Sequence, residues 1–381
     1  GSEMCIRDSY KTVHTLLDIP YTALGAEITR NYDERSSLNS VRNFFGSVGA
    51  LITASFMLVA VTWFAGIFGS EKMGWSATVG IYALLSGLSI FAGWYATRDY
   101  DHGQDPEGAV KRERVRYRDY VEVIKNRSFR YIAAMFAVSN VAQAISNVVA
   151  IYWLVYTLQM SEADISLILL IFWIYSLILV PILNWLAHRF TKKSAWNIAM
   201  LAWAVSCIVF PVWIITGPGP WTFVLMLVFM FPMQMGITAQ YQCSWAMIPD
   251  SIEVDEFETG KRREGVYYAC MTFLQKFSMA VAYFIGGIML TWVGYEHNVT
   301  LSGDTLTGIA YLFAFGQGIP LLITYLIGWF YPIHRENHAA LREALHLKKQ
   351  NKKYSTDGFR ELLANNGEAY PPCCEASEEK S

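Results

Sequence analysis

Between residues 38 and 331 the chain returns repeatedly to runs of twenty or more residues almost free of charge, and that repetition constrains its fold more than any other feature. A helix needs about 20 mostly apolar residues to cross a hydrocarbon core of ~30 Å. Backbone in lipid must also satisfy its own hydrogen bonds, which leaves helices as the economical solution. The runs predict helices over 38–68, 75–97, 129–158, 164–187, 195–216, 221–248, 265–293 and 308–331, with a more polar ninth at 10–28 containing Lys11, His14, Asp18 and Pro20. With 54% hydrophobic and 16% charged residues, the chain is built for lipid as its main solvent.

The basic residues test this map independently. Twenty-five of the 30 Lys and Arg residues fall in 30–42, 98–127, 188–193, 261–263 and the tail after 331, which share one side if the spans alternate. The loops of the other side, 69–74, 159–163, 217–220 and 294–307, carry only Lys72. Such an excess marks the cytoplasmic side, so the loop 98–127 and the C-terminal tail are expected in the cytoplasm and the protein in the cell (inner) membrane. The run "KRERVRYRDY" adjoins a membrane helix. A connector held near anionic lipid is therefore the expectation, and nucleic acid is not a partner. The six cysteines show neither zinc nor disulfide spacing. Cys207, Cys243 and Cys270 fall in spans, and Cys373 and Cys374 are expected as free thiols in the tail.

Two segments of the chain repeat each other. "LGAEITRNYDERSSLNSVR" (24–42) and "MIPDSIEVDEFETGKRREG" (247–265) each leave a span through an acid, Glu27 or Asp250, and reach an acidic pair, Asp33-Glu34 or Asp255-Glu256. In both, arginines precede the next span. If the copies are equivalent, the first span matches the seventh, and three more helices belong ahead of residue 10. Parallel halves of six helices are the plan of major facilitator transporters. The expected fold is therefore an all-α integral membrane protein of major facilitator type, comprising helices four to twelve of an expected twelve. On that plan 1–9 is a non-native lead, 10–97 an incomplete N-terminal bundle, 98–128 the central loop, 129–331 a six-helix bundle and 332–381 the tail.

"DIPYTALGAEITRNYDERSSLNSVRNFF" and "PDSIEVDEFETGKRREGVYYACMTFLQKF" resemble the two signature regions of the glycoside–pentoside–hexuronide:cation symporter family, of the melibiose permease type, over about residues 10–333. The resemblance implies substrate contacts at Asp18, Arg42, Thr272 and Lys276, with Asp18 and Thr15 also binding the coupling cation. Thr22 and Tyr241 stand where that family stacks tryptophan on its sugar, which puts galactoside recognition in question. The implied activity is symport of a sugar-like solute with sodium or a proton. No other cofactor and no structural metal are expected, and the chain is expected to work as a monomer in the bilayer.

Lys276 can be judged on physics alone. It lies ~18 Å into its helix and ~25 Å from the other end, at 1.5 Å per residue. A side chain of about 6 Å cannot snorkel to either surface from there. An unpaired charge at that depth costs at least ~2.5–3.5 kcal/mol, so the ammonium is expected to face a wet cavity, an anion or a structural ion-pair partner. Asp18 shares a helical stripe with His14 and Lys11 and is expected to meet Lys276 near the midplane. Asp33, Glu34, Arg35, Asp250, Asp255, Glu256, Lys261, Arg262 and Arg263 read either as solvated loop residues or as a cytoplasmic gate of ion pairs between the halves. Asn140, Gln143 and Asn147, and Gln234, Gln240 and Gln242, recur within single spans and either line a cavity or join helices. Gly286-Gly287 reads as a close helix contact, and "HAALREALHLKK" as an amphipathic helix after the last span.

There is no Gly-rich phosphate loop, HExxH motif or nucleophile elbow, so an enzyme is not expected. The competing readings are a lysolipid or other organic-solute symporter of the same superfamily, and a membrane protein that does not transport because its first helices are missing.

Overall fold

The computed structural model describes residues 9, 12–13, 32–98, 117–214, 221–261, 263–295, 302–350, 352–363 and 373–374. It divides into two units, Gly1–Arg112 and Glu113–Ser381, each described here by itself. The expected span 10–28 lies outside the described residues.

In the first unit, α1 (Tyr32–Phe68) and α2 (Glu71–Thr97) form a helical hairpin. The turn runs through Gly69, whose φ of 65° favours glycine. Gly74 sets the distance between the helices, since a Cβ there would stand 2.6 Å from the Val61 carbonyl oxygen. Most other side chains of the hairpin are exposed and apolar, Phe45, Trp63, Leu84 and Phe91 among them. Lipid tails solvate such faces as well as a protein core does, so they carry no penalty in a bilayer.

The second unit holds α3 (Tyr117–Lys125), α4 (Arg127–Tyr152) with a π-helical end at Trp153–Thr157, α5 (Glu162–Arg189), α6 (Lys192–Ile214), α7 (Thr222–Thr259), α8 (Glu264–Trp292), α9 (Gly303–Trp329) and α10 (Arg335–Lys349). A short antiparallel pair follows, β1 (Tyr354–Ser355) with β2 (Cys373–Cys374), in the register Tyr354 opposite Cys374. Within the bundle α9 packs on α6 and α4, α6 on α7, α4 on α8, and α5 on α7. Among the described residues seven helices, α2 and α4 to α9, are long and apolar enough to cross a membrane.

Caps written in the sequence fix several starts. Asn126 accepts the Phe129 N–H at 3.1 Å before α4, Ser161 and Asp164 form a capping box before α5, and Ser302 accepts the Thr305 N–H at 3.2 Å before α9. Two apolar clusters make up the core of the second unit. One, toward the end bearing most of the basic residues, gathers Phe136, Trp196, Trp203, Phe257 and Tyr267. The other, toward the opposite end, centres on Trp153, stacked on Phe313 with ring centroids 4.6 Å apart.

Two expectations need correcting. The span expected to end at 248 continues as helix to Thr259, so Asp250, Asp255 and Glu256 stand on α7 and not in a loop. The reason lies in their partners, described below. Of Gly286-Gly287, only Gly286 meets a neighbour, with Val148 at 3.4 Å from a Cβ built there, and Gly287 has nothing within 4 Å. Tighter contacts lie elsewhere, among them Gly236, where an added Cβ would fall 2.4 Å from the Trp203 Cβ and press α6 and α7 apart.

Candidate functional site

The buried residues of α8 from Tyr267 on, Met271, Ser278, Ala282, Gly286 and Leu290, recur at steps of four or seven and, with Val266 at the start, define its packed stripe. At 100° per residue two further stripes follow. Phe273, Phe277 and Phe284 make one that is exposed and wholly aromatic. Tyr268, Thr272, Gln275, Lys276 and Tyr283 make the other, and it is polar. Lys276 is exposed on it, and α8 has no other charged residue between Gly265 and Trp292.

Tyr241 stands at the middle of α7, and its hydroxyl donates to Gln143 Oε1 of α4 at 3.1 Å. Gln275 of α8, the neighbour of Lys276, also reaches this hydroxyl. Three helices are thereby joined by polar side chains at the depth of Lys276. Thr272 turns its hydroxyl to the Tyr268 carbonyl, 2.9 Å away, which leaves the oxygen lone pairs to accept. The structure thus places the described substrate candidates Tyr241, Thr272 and Lys276 along one α7–α8 face. Gln275 was not singled out from the sequence, although its place beside Lys276 and one turn after Thr272 is a signal that could have found it. Of the other amide residues, Asn140 is buried and bonds the Phe136 carbonyl of its own helix at 2.7 Å, Asn147 is exposed, and Gln242 bonds Asn184 of α5 at 2.6 Å. Thr15, Asp18, Thr22 and Arg262 lie outside the described residues, as do the side chains of Asp33, Glu34, Arg35 and Arg42 on α1.

The basic end of the second unit holds an ion-pair network on the last turns of α7. Lys192 of α6 donates to both Asp250 oxygens at 2.8 Å. Arg263 binds Asp255 through two bonds of 2.7 and 3.1 Å, also reaches Glu122 of α3, and lies 3.6 Å from Asp119. Lys349 of α10 pairs with Glu256 at 2.7 Å. Asp250, Asp255 and Glu256 are only 6%, 3% and 8% exposed, so they are not the solvated acids of one sequence reading. The partners described for them belong to the second unit. Burial works against the charge of Arg263, but its bonds to Asp255 and Glu122 outweigh burial and raise its pKa. The same Arg263 bond holds the Glu122 carboxyl below its ordinary value. Asn126 completes the network by donating to the Ser251 carbonyl at 3.1 Å and the Tyr267 hydroxyl at 3.0 Å.

A family model described as MFS/sugar transport protein matches residues 5–335. The chain belongs to that family. It is thus a multi-pass membrane protein of the major facilitator fold, in a family of transporters and not of enzymes. It is 29% identical over 297 residues to the uncharacterized symporter YnaJ of Bacillus subtilis (strain 168), covering 78% of this chain and 62% of that protein. It is 25% identical over 348 residues to an Escherichia coli (strain K12) protein named as a sulfoquinovose importer, covering 90% and 71%. It is also 23% identical over 299 residues to the isoprimeverose transporter of Lactiplantibacillus pentosus, covering 78% and 60%. The chain therefore spans 60–71% of the length of these relatives.

Proposed function

We propose that the protein is a secondary symporter that couples a sugar, glycoside or related small polar solute to sodium or a proton by alternating access. In this reading the basic helix ends and the tail lie in the cytoplasm, following the charge asymmetry of the loops. The observation that carries the reading is Lys276 near the middle of its apolar helix, on one stripe with Thr272, Gln275 and Tyr283, of which Gln275 reaches the hydroxyl of Tyr241. Sugar hydroxyls need both donors and acceptors, and a site built to bond them discriminates strongly against molecules that lack them. An ammonium, amides and phenols supply that mixture, and relatives named for sulfoquinovose and isoprimeverose transport favour sugars over other polar solutes. Asp18 and Thr15 would hold the cation, with Arg42 and Thr22 completing the solute site.

Coupling follows from charge. A cation at Asp18 compensates the carboxylate, and solute then bonds Asp18, Arg42 and Lys276. Empty and fully loaded sites leave no naked charge, whereas half-loaded ones do and cannot reorient cheaply. Asp33, Glu34 and Arg35, with Asp250, Asp255, Glu256, Arg262 and Arg263, would close the cytoplasmic mouth.

The test is uptake of labelled glycosides into proteoliposomes containing the complete gene product, under an imposed sodium or proton gradient. Lys276→Gln is expected to cut uptake about 10–100-fold, the scale of ~1.5–3 kcal/mol for hydrogen bonds to a charged group. Asp18→Cys is expected to abolish cation stimulation. Uptake that stays cation-dependent in Asp18→Cys overturns the coupling role, and gradient-driven uptake of lysophospholipid in place of glycosides overturns the solute class.

A further inference from the structure

Nothing in that cycle calls on the segment after α9, yet it is among the best-packed parts of the second unit. α10 buries Asn337, Leu341, Ala344 and Leu345. Beyond it Phe359, Leu362 and Leu363 are fully enclosed, and Phe359 and Tyr354 meet the buried Phe257 of α7 edge-on at 5.0 and 5.7 Å. The contacts fall on the last turns of α7, which have a problem of their own. Asp250, Glu253, Asp255, Glu256 and Glu258 crowd that stretch. The pairs 250/253, 253/256 and 255/258 face one another at i,i+3 and repel. All five also stand at the negative end of the helix dipole. Left alone, such a sequence ends its helix near residue 250. The helix instead runs on to a left-handed cap at Gly260.

Two of the compensating cations are Lys192 and Arg263, and α10 brings further basic side chains and an imidazole against the same acids. His338 Nε2 lies 2.9 Å from Glu253 and 3.7 Å from Asp250. Arg342 is 3.8 Å from Glu253, and Lys349 is 2.7 Å from Glu256. Lys348 completes the helix end. The Phe257 carbonyl would take the Lys261 N–H if α7 continued, but that N–H bonds the Thr259 hydroxyl at 3.2 Å. Lys348 Nζ donates to the vacated carbonyl at 2.7 Å, acting as a side-chain cap. We infer that residues 335–363 are an intramolecular clamp that keeps the last two turns of α7 helical and so positions the Asp255–Arg263 pair.

Hydrogen–deuterium exchange on the complete protein in nanodiscs tests this without any substrate, so its outcome is independent of the symport reading. A chain ended after Ile333 loses the whole clamp. The triple variant His338→Gln, Lys348→Met, Lys349→Met removes the charges while keeping the apolar contacts, and so guards against simple misfolding. In both, amides of 252–259 are expected to exchange about tenfold faster, equivalent to ~1.4 kcal/mol, while amides of 225–245 keep their protection. Unchanged exchange at 252–259 in the triple variant overturns the inference, as does equal loss of protection along all of α7.

Discussion

Replacing Arg263 by glutamine removes the partner of a carboxylate that has almost no access to water. The Arg263 and Asp255 side chains are 8% and 4% exposed. Breaking a buried pair by deleting one member costs ~3–5 kcal/mol, chiefly because the remaining charge is stranded. Glu122 also loses its bond, but its side chain is 37% exposed and rehydrates, so the stranded Asp255 dominates the loss. Asp255→Asn leaves Arg263 with Glu122 and costs less. Combining the two removes both charges, so the double variant is expected to recover at least ~2 kcal/mol of the summed losses. The buried thiols of Cys207 and Cys243 supply the assay, because a thiol-reactive fluorophore reaches them only on unfolding. For a unit of this size ~1 kcal/mol shifts the melting temperature by about 2–4 °C. Arg263→Gln should therefore melt about 10 °C lower in detergent, with the double variant between it and the parent. A drop under about 2 °C, or strictly additive losses, would refute the claim that the pair is buried and coupled.

Three further outcomes follow from the same contacts. Asn126→Ala removes the α4 cap and both cross-links to α7 and α8; a loss of about 2–4 kcal/mol, from one cap and two buried bonds, should appear in the same melting assay. Gly236→Ala gains about 1 kcal/mol of helix propensity, but its Cβ 2.4 Å from the Trp203 Cβ forces α6 and α7 apart, so net destabilisation of about 1–2 kcal/mol is expected in that assay. Partial burial, with Lys193 nearby, lowers the pKa of His334 from its ordinary 6.5, and the ring caps α10. A histidine whose folded pKa is lowered leaves stability intact above 6.5 and removes it as pH falls from there toward the folded value. Exchange at the first turn of α10, corrected for intrinsic rate, should therefore rise below about pH 6.5 and stay flat in His334→Asn.

The spans described in the structure were legible because a bilayer imposes one requirement, length of apolar sequence, that a single chain must meet locally. What stayed hidden depends on residues far apart. The extension of α7 past 248 rests on Lys192, His338 and Lys349, and a local reading saw only five acids and a proline. The glycine pair 286–287 is conspicuous in the sequence, but closeness is decided by what stands opposite, and it is Gly236 and Gly328 that face tryptophans of α6 while Gly287 has nothing within 4 Å. At the site, Tyr241 and Thr272 came from a resemblance and Lys276 from its depth as well, while Gln275 was passed over although it stands beside Lys276 and one turn after Thr272, because its phenol partner lies on another helix.

The two charged regions of the second unit obey opposite rules, and the difference bears on Lys276. At the basic end Asp250, Asp255 and Glu256 each find a cation within the unit, as burial demands. Lys276 sits deeper in the bilayer and finds only neutral neighbours on its stripe, Thr272, Gln275 and Tyr283. A structural ion pair would require a carboxylate from a helix packed around it. Yet 128–157 of α4, 222–249 of α7 and 305–329 of α9 contain no Asp or Glu. The counter-charge must then come from beyond these helices. On the symport reading proposed above, Asp18 and a bound solute would be the two sources. A lysine kept for packing alone would be better as leucine, which fills the same volume without the insertion cost. Lys276→Leu should therefore leave the melting temperature of the second unit unchanged or higher while uptake collapses, and a variant that both melts lower and still transports would reverse the assignment.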